Sequence, residues 1–115
     1  MDYENQVRAV AKYIAMSPQK VRLVCDLVKG KSVDEALAIL KLTPKAAALP
    51  VANVIASAAA NADENYGMAR EDLYVARIWA DPGPMLKRAR FGARGRYKAI
   101  VKRSAHITVV LAERD

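Results

Sequence analysis

The segment from Pro82 to Ala112 carries eight basic residues and not one aspartate or glutamate. Its basic residues are Lys87, Arg88, Arg90, Arg94, Arg96, Lys98, Lys102 and Arg103. Residues 1–81 hold ten basic and ten acidic residues and so contribute no net charge. The excess of positive charge, which gives the chain its formal charge of +7, therefore comes from this one segment. Self-repulsion keeps such a segment open until counter-charge arrives. The predicted partner is therefore a polyanion.

Two strand-like segments flank the basic run. Residues 73–80 and 107–111 are rich in β-branched and aromatic side chains, which favours strands. An antiparallel register that pairs Ala80 with Ala105 centres a turn on Gly92-Ala93, where a glycine suits a tight hairpin. The sequence thus predicts one long hairpin between two strands of the body.

The hairpin is too long to lie within the body. Each arm beyond Ala80 has about 12 residues and spans roughly 40 Å at ~3.3 Å per residue. We therefore predict a basic finger over residues 81–104, with Phe91 and Tyr97 as planar groups that can stack on unpaired bases. A solvated charged loop is the plainer alternative, but such loops rarely concentrate this much charge without acidic relief.

Helical and strand signals fill the rest of the chain. Residues 7–14 alternate loosely and predict a short strand. One of its faces holds Arg8 and Lys12, and the other holds Ala9, Ala11 and Tyr13. Ser17-Pro18 predicts the start of a first helix and Gly30 its end. Its apolar positions are Val21, Val24, Cys25 and Val28.

Two further helices follow. Ser32 and Glu35 have the spacing of a capping box, and the buried positions predicted for that second helix are Ala36, Leu37, Ile39 and Leu40. Thr43-Pro44 predicts the start of a third helix that reaches about Asn65, which Pro50 should bend or start later. The predicted fold is α+β: three helices on a small three-stranded antiparallel sheet, with a long protruding basic β-hairpin, in a single domain over residues 1–115.

The overall composition is that of a folded protein without disulfides or metals. The chain has 115 residues, of which 53% are hydrophobic and 27% charged, enough for one core. One cysteine and one histidine exclude a disulfide framework and a Cys/His metal site. We expect no signal peptide from the acidic N-terminus and no membrane span from the alanine-rich residues 46–62.

No reaction centre is predicted, so we interpret the chain as a binder and not an enzyme, without a cofactor. Cys25 falls on an apolar helix face and His106 is remote from it in sequence, which favours a buried inert thiol. Gly30-Lys31-Ser32 resembles the end of a phosphate-binding P-loop, but position 25 lacks the required glycine and a helix precedes the motif. A helix stop followed by a capping box explains it.

A second anion-binding surface is predicted around the first helix. Its residues are Ser17, Lys20, Arg22, Lys29 and Lys31. A helix N-terminus offers free N–H donors to a phosphate. The alternative is an ordinary solvated face.

Several motifs resemble the family of large ribosomal subunit protein 22. Residues 17–30 (SPQKVRLVCDLVKG) resemble its first-helix signature, and residues 36–40 and 59–62 its second and third helices. Residues 102–110 (KRSAHITVV) resemble its C-terminal strand. Gly83-Pro84, Lys87-Arg88 and Gly95-Arg96 fit its extended hairpin. The resemblance covers nearly the whole chain.

The resemblance implies a scaffold protein bound to the ribosome in the cytoplasm, in a form that suits bacteria or plastids. Its body would lie beside the peptide exit, and its hairpin would pass through large-subunit ribosomal RNA to line the nascent-peptide tunnel. The implied tip residues are Leu86, Lys87, Arg88, Ala89, Arg90, Phe91 and Gly92. The implied partners are large-subunit ribosomal RNA, neighbouring ribosomal proteins and the nascent peptide, with no membrane and one copy per ribosome. An association with macrolide response, near Leu86-Lys87-Arg88, is also implied.

The chain departs from the family pattern at two places. Phe91-Gly92-Ala93 stands where the family commonly reads Pro-Arg-Ala, and Pro50 is unusual in its third helix. Two other function classes stay open from the residues alone. A DNA-bending protein with a basic β-ribbon arm is the runner-up, and an RNA-modifying enzyme is disfavoured by the missing catalytic groups.

Overall fold

The computed structural model describes residues 6–84, 86–91 and 97–114, with the backbone alone at 86–91 and 97–102. The elements in chain order are β1 Gln6–Ile14, α1 Pro18–Val28, α2 Val33–Leu42, α3 Ala48–Tyr66, a short 3-10 helix Arg70–Asp72, β2 Leu73–Pro82, β3 Leu86–Phe91, β4 Tyr97–Lys102 and β5 Ala105–Glu113. The strands of the body form an antiparallel sheet in the order β1-β5-β2. The predicted α+β class, three helices on a three-stranded antiparallel sheet, is confirmed.

The core lies between the helices and one face of this sheet. The central strand β5 contributes Ile107, Val109 and Leu111, all fully buried. Helix α1 contributes Val21 and Val24, and α3 contributes a run of small alanines that lets it approach the sheet closely. Burying this apolar surface is the main stabilising contribution to the body.

The ends of the first two helices follow the predicted signals. The Ser17 hydroxyl accepts a hydrogen bond from the Lys20 N–H at 3.4 Å, and Ser32 does the same for Glu35 at 3.3 Å. Gly30 adopts φ 81° after α1, a left-handed conformation that suits glycine. The capping interpretation of Gly30-Lys31-Ser32 is therefore confirmed, and no P-loop geometry is present at these residues.

The predicted start of the third helix is wrong. Thr43 closes α2 instead, since its hydroxyl donates to the Ile39 carbonyl at 2.7 Å and its N–H to the Leu40 carbonyl at 3.2 Å. Helix α3 begins at Ala48, which places Pro50 in its first turn. The missing N–H of a proline costs nothing there, because first-turn N–H groups have no partner within the helix. Of the two predicted effects of Pro50, the later start is the one that occurs.

Strand β1 contradicts the predicted position of Tyr13. Register is lost between Ala11 and Ile14, and Tyr13 has φ 60° with 67% of its surface exposed. Its N–H donates to Nδ1 of His106 at 3.0 Å, so this bulge is fixed by a side chain of β5. Strict alternation fails at a bulge, which is why Tyr13 leaves the face it was assigned.

The pairing of β2 with β5 is antiparallel as predicted, but its register is not. The structure pairs Ala80 with Ile107, where the prediction paired it with Ala105. Register shifts between Val75 and Arg77, which makes the intervening residue of β2 a bulge. The predicted register implies Leu73 opposite Ala112, whereas Leu73 pairs with Glu113. One residue of the difference therefore precedes the bulge, and the bulge adds the second.

Strands β3 and β4 form a two-stranded ribbon as a sheet of their own. The ladder runs from Leu86 opposite Lys102 to Phe91 opposite Tyr97. The predicted turn at Gly92-Ala93 lies outside the described residues. The molecule is elongated, 65 Å along its longest axis, and its radius of gyration of 17.3 Å exceeds the ~13 Å of a compact domain of this length. No helix within the described ranges has both the length and the apolarity to cross a membrane.

Candidate nucleic-acid interface

The basic run of the sequence falls mostly on the ribbon. Its residues lie on β3 (Lys87, Arg88 and Arg90), on β4 (Lys98 and Lys102) and just after β4 (Arg103). Arg94 and Arg96 lie outside the described residues. The ribbon therefore carries at least five of the eight predicted basic positions on paired strands.

The ribbon's register sorts these positions by face. Paired positions of an antiparallel ladder share a face, and faces alternate along each strand. Positions 88, 90, 98 and 102 consequently share one face, while positions 87, 91 and 97 share the other. One face thus carries four basic positions, and the opposite face carries both aromatic positions of the ribbon.

The residues predicted as the tip form one arm of the ribbon. Leu86–Phe91 is the strand β3, and Leu86 stands at the end of the ladder that is nearer the body. Gly92 lies outside the described residues. Phe91, which is also one of the predicted tip residues, pairs with Tyr97 at the far end of the described ladder.

Side chain and backbone contacts fix the base of the ribbon. The Gly83 N–H donates to the Ser104 carbonyl at 2.9 Å, and the Ser104 hydroxyl donates to the Pro84 carbonyl at 2.8 Å. A Cβ at Gly83 would overlap the Ser104 hydroxyl oxygen and lie 3.1 Å from Cε1 of His106. The two arms approach each other closely here because Gly83 has no side chain.

A groove lies between the start of α1 and the base of the ribbon. It has a volume of about 830 Å³ and its basic lining residues are Lys20, Lys45 and Arg103. Ser17 also lines it, and Met16 and Leu23 form its apolar floor. The three basic side chains make no salt bridge within the described residues. Ser17 and Lys20 were predicted as part of the first-helix cluster and Arg103 as part of the basic run. In the structure these residues line one groove.

Arg22 extends this surface toward the ribbon. Its Nε donates to the Ala80 carbonyl at 3.0 Å, which ties α1 to the strand that leads into the ribbon. Ser17, Arg22 and Arg103 also line a second groove of about 300 Å³ beside Gly83. The internal hydrogen bond holds the guanidinium at the mouth of this groove and leaves its terminal nitrogens for a ligand.

The remaining two members of the predicted cluster lie elsewhere. Lys29 and Lys31 follow the C-terminal end of α1, and this 11-residue helix is about 16 Å long at ~1.5 Å per residue. Lys31 also pairs loosely with Glu35, at 4.0 Å. The five-residue cluster is thus two separate groups, because the helix separates residues that are close in sequence.

Lys45 is the residue of this surface that the sequence did not reveal. The Thr43-Pro44 signal placed it inside the third helix, where nothing singled it out. In the structure it lies in the connection between α2 and α3 and lines the larger groove. The position of a connecting loop over a groove depends on tertiary packing, so no local pattern announces it.

The other chemical candidates are structural. Cys25 is only 2% exposed, and burial, followed by the nearby Asp26, raises the pKa of its thiol to about 11. A raised pKa opposes thiolate formation, so Cys25 is not an activated nucleophile. The imidazole of His106 accepts the Tyr13 N–H and packs edge-on against the Tyr13 ring. No cluster of three metal-binding side chains occurs in the described part of the chain.

Fold and surface together define a class: a small basic α+β domain with a β-ribbon arm. A family model described as ribosomal protein L22p/L17e matches residues 9–112. The large ribosomal subunit protein uL22 of Thermoanaerobacter sp. (strain X514) is 52% identical over 110 residues, which are 96% of this chain and 99% of the relative. The uL22 of Clostridium novyi (strain NT) is 52% identical over 109 residues, 95% and 98% of the two chains. That of Finegoldia magna is 49% identical over 110 residues, 96% and 98% of the two chains.

The chain belongs to the ribosomal protein L22p/L17e family. The predicted resemblance is therefore confirmed. Membership selects the ribosomal interpretation over the DNA-bending alternative and over an RNA-modifying enzyme.

Proposed function

We propose that this protein binds large-subunit ribosomal RNA as a structural component of the ribosome, with the ribbon as its main contact. The observation that carries the proposal is the confinement of the whole positive excess to residues 82–112, of which residues 86–91 and 97–102 form a ribbon that is a sheet separate from that of the body. Folded RNA presents closely spaced phosphates, and an extended arm neutralises them where a globular surface cannot enter.

The body adds a second contact at the base of the ribbon. Lys20, Lys45 and Arg103 converge on one groove without salt-bridge partners in the described residues, and Ser17 caps the helix that begins there. An RNA strand that follows the ribbon toward the body reaches this groove next. Lys29 and Lys31, at the other end of α1, form a separate predicted contact.

The salt dependence of RNA binding tests the main contact. Neutralising Arg88, Arg90, Arg94 and Arg96 to glutamine removes four charges. The slope of log affinity against log salt should fall by about 3, at ~0.7 to 0.9 per phosphate contact. The probe is an in-vitro transcript of large-subunit ribosomal RNA, titrated from low to moderate salt.

A matched variant controls for position. Changing the same four arginines to lysine keeps the charges and should keep the slope within experimental error. If the glutamine variant keeps the parent slope, the ribbon is not the principal phosphate contact and the proposal is wrong.

We further propose that the far end of the ribbon lines the nascent-peptide tunnel. The support is family membership together with the reach of the ribbon, since the molecule is 65 Å long and about half of that length lies beyond a body of ordinary domain size. A basic and aromatic end contributes surface to a tunnel wall and requires no reactive group.

Shortening both arms equally tests the reach. The register pairs residues 86–88 with residues 100–102, so deleting both sets preserves pairing and withdraws the end by about 10 Å, at ~3.3 Å per residue. Ribosomes that carry this variant should assemble and form peptide bonds but respond differently to tunnel-binding antibiotics. Deleting residues 86–88 alone is the comparison, because an odd-numbered change in one arm reverses its faces against the other. An unchanged drug response, with the shortened protein present in the particle, would refute the tunnel role.

A further inference from the structure

The body sheet has a face that the helices do not cover. On β5, Ile107, Val109 and Leu111 belong to the core that the helices share. The alternating residues Thr108 and Val110 are 3% and 5% exposed, yet they lie outside that core on the opposite face. Among the described residues, their neighbours on this face belong to the flanking strands β1 and β2.

Two cross-strand rows build this open face. The register places Arg8 of β1 and Arg77 of β2 on either side of Val110. The Cα atoms of the two arginines are therefore about 10 Å apart, at ~4.8 Å between neighbouring strands. Both are exposed, and they border a groove of about 460 Å³ above Val110. The row combines an apolar floor with a cation on each rim.

The neighbouring row supplies a flat aromatic surface. The register places Val10 and Trp79 on either side of Thr108, and Val10 is 42% exposed. The Arg77 guanidinium lies over the Trp79 ring at 5.8 Å from its centroid. Trp79 also lines the groove between the arginines. On open sheets, nucleic-acid bases stack on aromatic side chains, and a neighbouring arginine adds a cation–π contribution.

The polar groups of the face favour an anionic ligand that also donates hydrogen bonds. Arg8 and Arg77 make no salt bridge within the described ranges. Among the described residues, Asp81 is the acidic residue that contacts Trp79, and its Oδ2 accepts the indole N–H at 3.1 Å. At the other end of the groove, Oε1 of Gln6 is buried without a hydrogen-bond partner among the described residues. A ligand with phosphates and with hydroxyl or amine donors would satisfy both ends.

We infer that this open face binds RNA as a surface distinct from the ribbon, with phosphates at Arg8 and Arg77 and a base plane against Trp79. The inference rests on the proposed function, because the RNA is the large-subunit RNA that the ribbon contacts. RNA fits this face because its phosphates complement two exposed guanidinium groups that make no salt bridge within the described residues, and because its bases can stack on Trp79.

Trp79 provides a local readout, since it is the only tryptophan of the chain. The full-length protein is titrated with a transcript of large-subunit ribosomal RNA while intrinsic tryptophan fluorescence and total binding are both recorded. The indole emission should change in parallel with binding. The double variant R8Q/R77Q should lose most of that change and about 1.5 units of salt slope, at ~0.7 to 0.9 per contact.

The matched control removes the same charge elsewhere. The variant K41Q/R70Q alters two exposed cations, on α2 and on the short 3-10 helix, of which Arg70 also pairs with Asp34 at 2.7 Å, and should leave the emission change intact. The ribbon variant with Arg88, Arg90, Arg94 and Arg96 changed to glutamine should bind more weakly but, when saturated, still alter Trp79 emission. That result would establish the face as an independent contact.

Three results would overturn the inference. If the RNA binds with normal salt slope while R8Q/R77Q behaves like K41Q/R70Q, the face is not an RNA contact although the proposed function stands. If no RNA binds at all, the proposed function and the inference both fail. If oxidative footprinting protects Trp79 in the assembled subunit but not in the RNA complex, a neighbouring protein covers the face instead.

Discussion

The side chain of Arg22 and the backbone of Ala80 join helix α1 to strand β2 through one hydrogen bond of 3.0 Å. Ala80 is 2% exposed and stands two residues before the last paired residue of β2, Pro82. This contact therefore links the basic groove at the start of α1 to the strand that leads into the ribbon.

Removing the Arg22 guanidinium should destabilise the body. In R22Q the Ala80 carbonyl loses its side-chain donor, which costs about 1 kcal/mol, or roughly 4 to 8 °C in Tm for a domain of this size. K20Q, two residues away and equally charged, should leave the free energy of unfolding within about 0.5 kcal/mol of the parent. Thermal melting followed by circular dichroism measures both. Equal Tm values would show that the Arg22 contact contributes nothing to stability.

A side chain at Gly83 should disturb the ribbon base through Ser104. In G83A the new methyl group displaces the Ser104 hydroxyl from the Pro84 carbonyl, which costs about 1 kcal/mol. In a protein that already carries S104A the obstructing hydroxyl is gone, so the additional cost of G83A should be smaller. The measurement is the double-mutant cycle in the free energy of unfolding. Strictly additive effects would mean that the two residues do not interact as described.

Cys25 should resist thiol reagents while the protein is folded. Burial raises the pKa of the thiol from 9.0 to about 11, so at neutral pH it should react only after unfolding. Because the folded pKa is the higher one, this thiol stabilises the fold fully below pH 9 and loses that contribution as pH rises toward 11. Unfolding titrations of the parent and of C25A across this range should show the steeper decline in the parent. Rapid labelling in native buffer would contradict the burial.

The body should fold without the ribbon. Deleting residues 86–102 leaves residues 83–85 and 103–104 between Pro82 and Ala105, which already face each other. Those five residues suit an ordinary hairpin loop of four or five. Circular dichroism should show retained helices and a cooperative melt, because the ribbon is a sheet of its own outside the core. An unfolded product would place the ribbon within the folding unit.

Local signals predicted the body elements well. Ser17-Pro18, Gly30 and the Ser32 capping box each act through neighbours within four residues, so their sequence spacing is sufficient. The start of α3 was harder to predict, because Thr43 can either begin a helix or end one. Here it ends α2, and only the packed structure decides between these two roles.

Register and surface assembly could not be predicted in the same way. The bulge in β2 between Val75 and Arg77, and the bend at Tyr13, each depend on contacts across the sheet. The bulge in β2 shifts the pairing of β2 with β5 by one residue, which no local pattern in the sequence shows. The meeting of Lys45 with Arg103 likewise joins residues that are far apart in sequence.

The most direct test of the account is the structure of the large ribosomal subunit, solved by electron cryomicroscopy, from cells in which this chain is the sole copy of its family. We expect the ribbon to be enclosed by ribosomal RNA, with phosphates beside Arg88, Arg90 and Lys98 and with Arg103 against RNA at its base. A ribbon that lies in solvent, or against proteins alone, would contradict it.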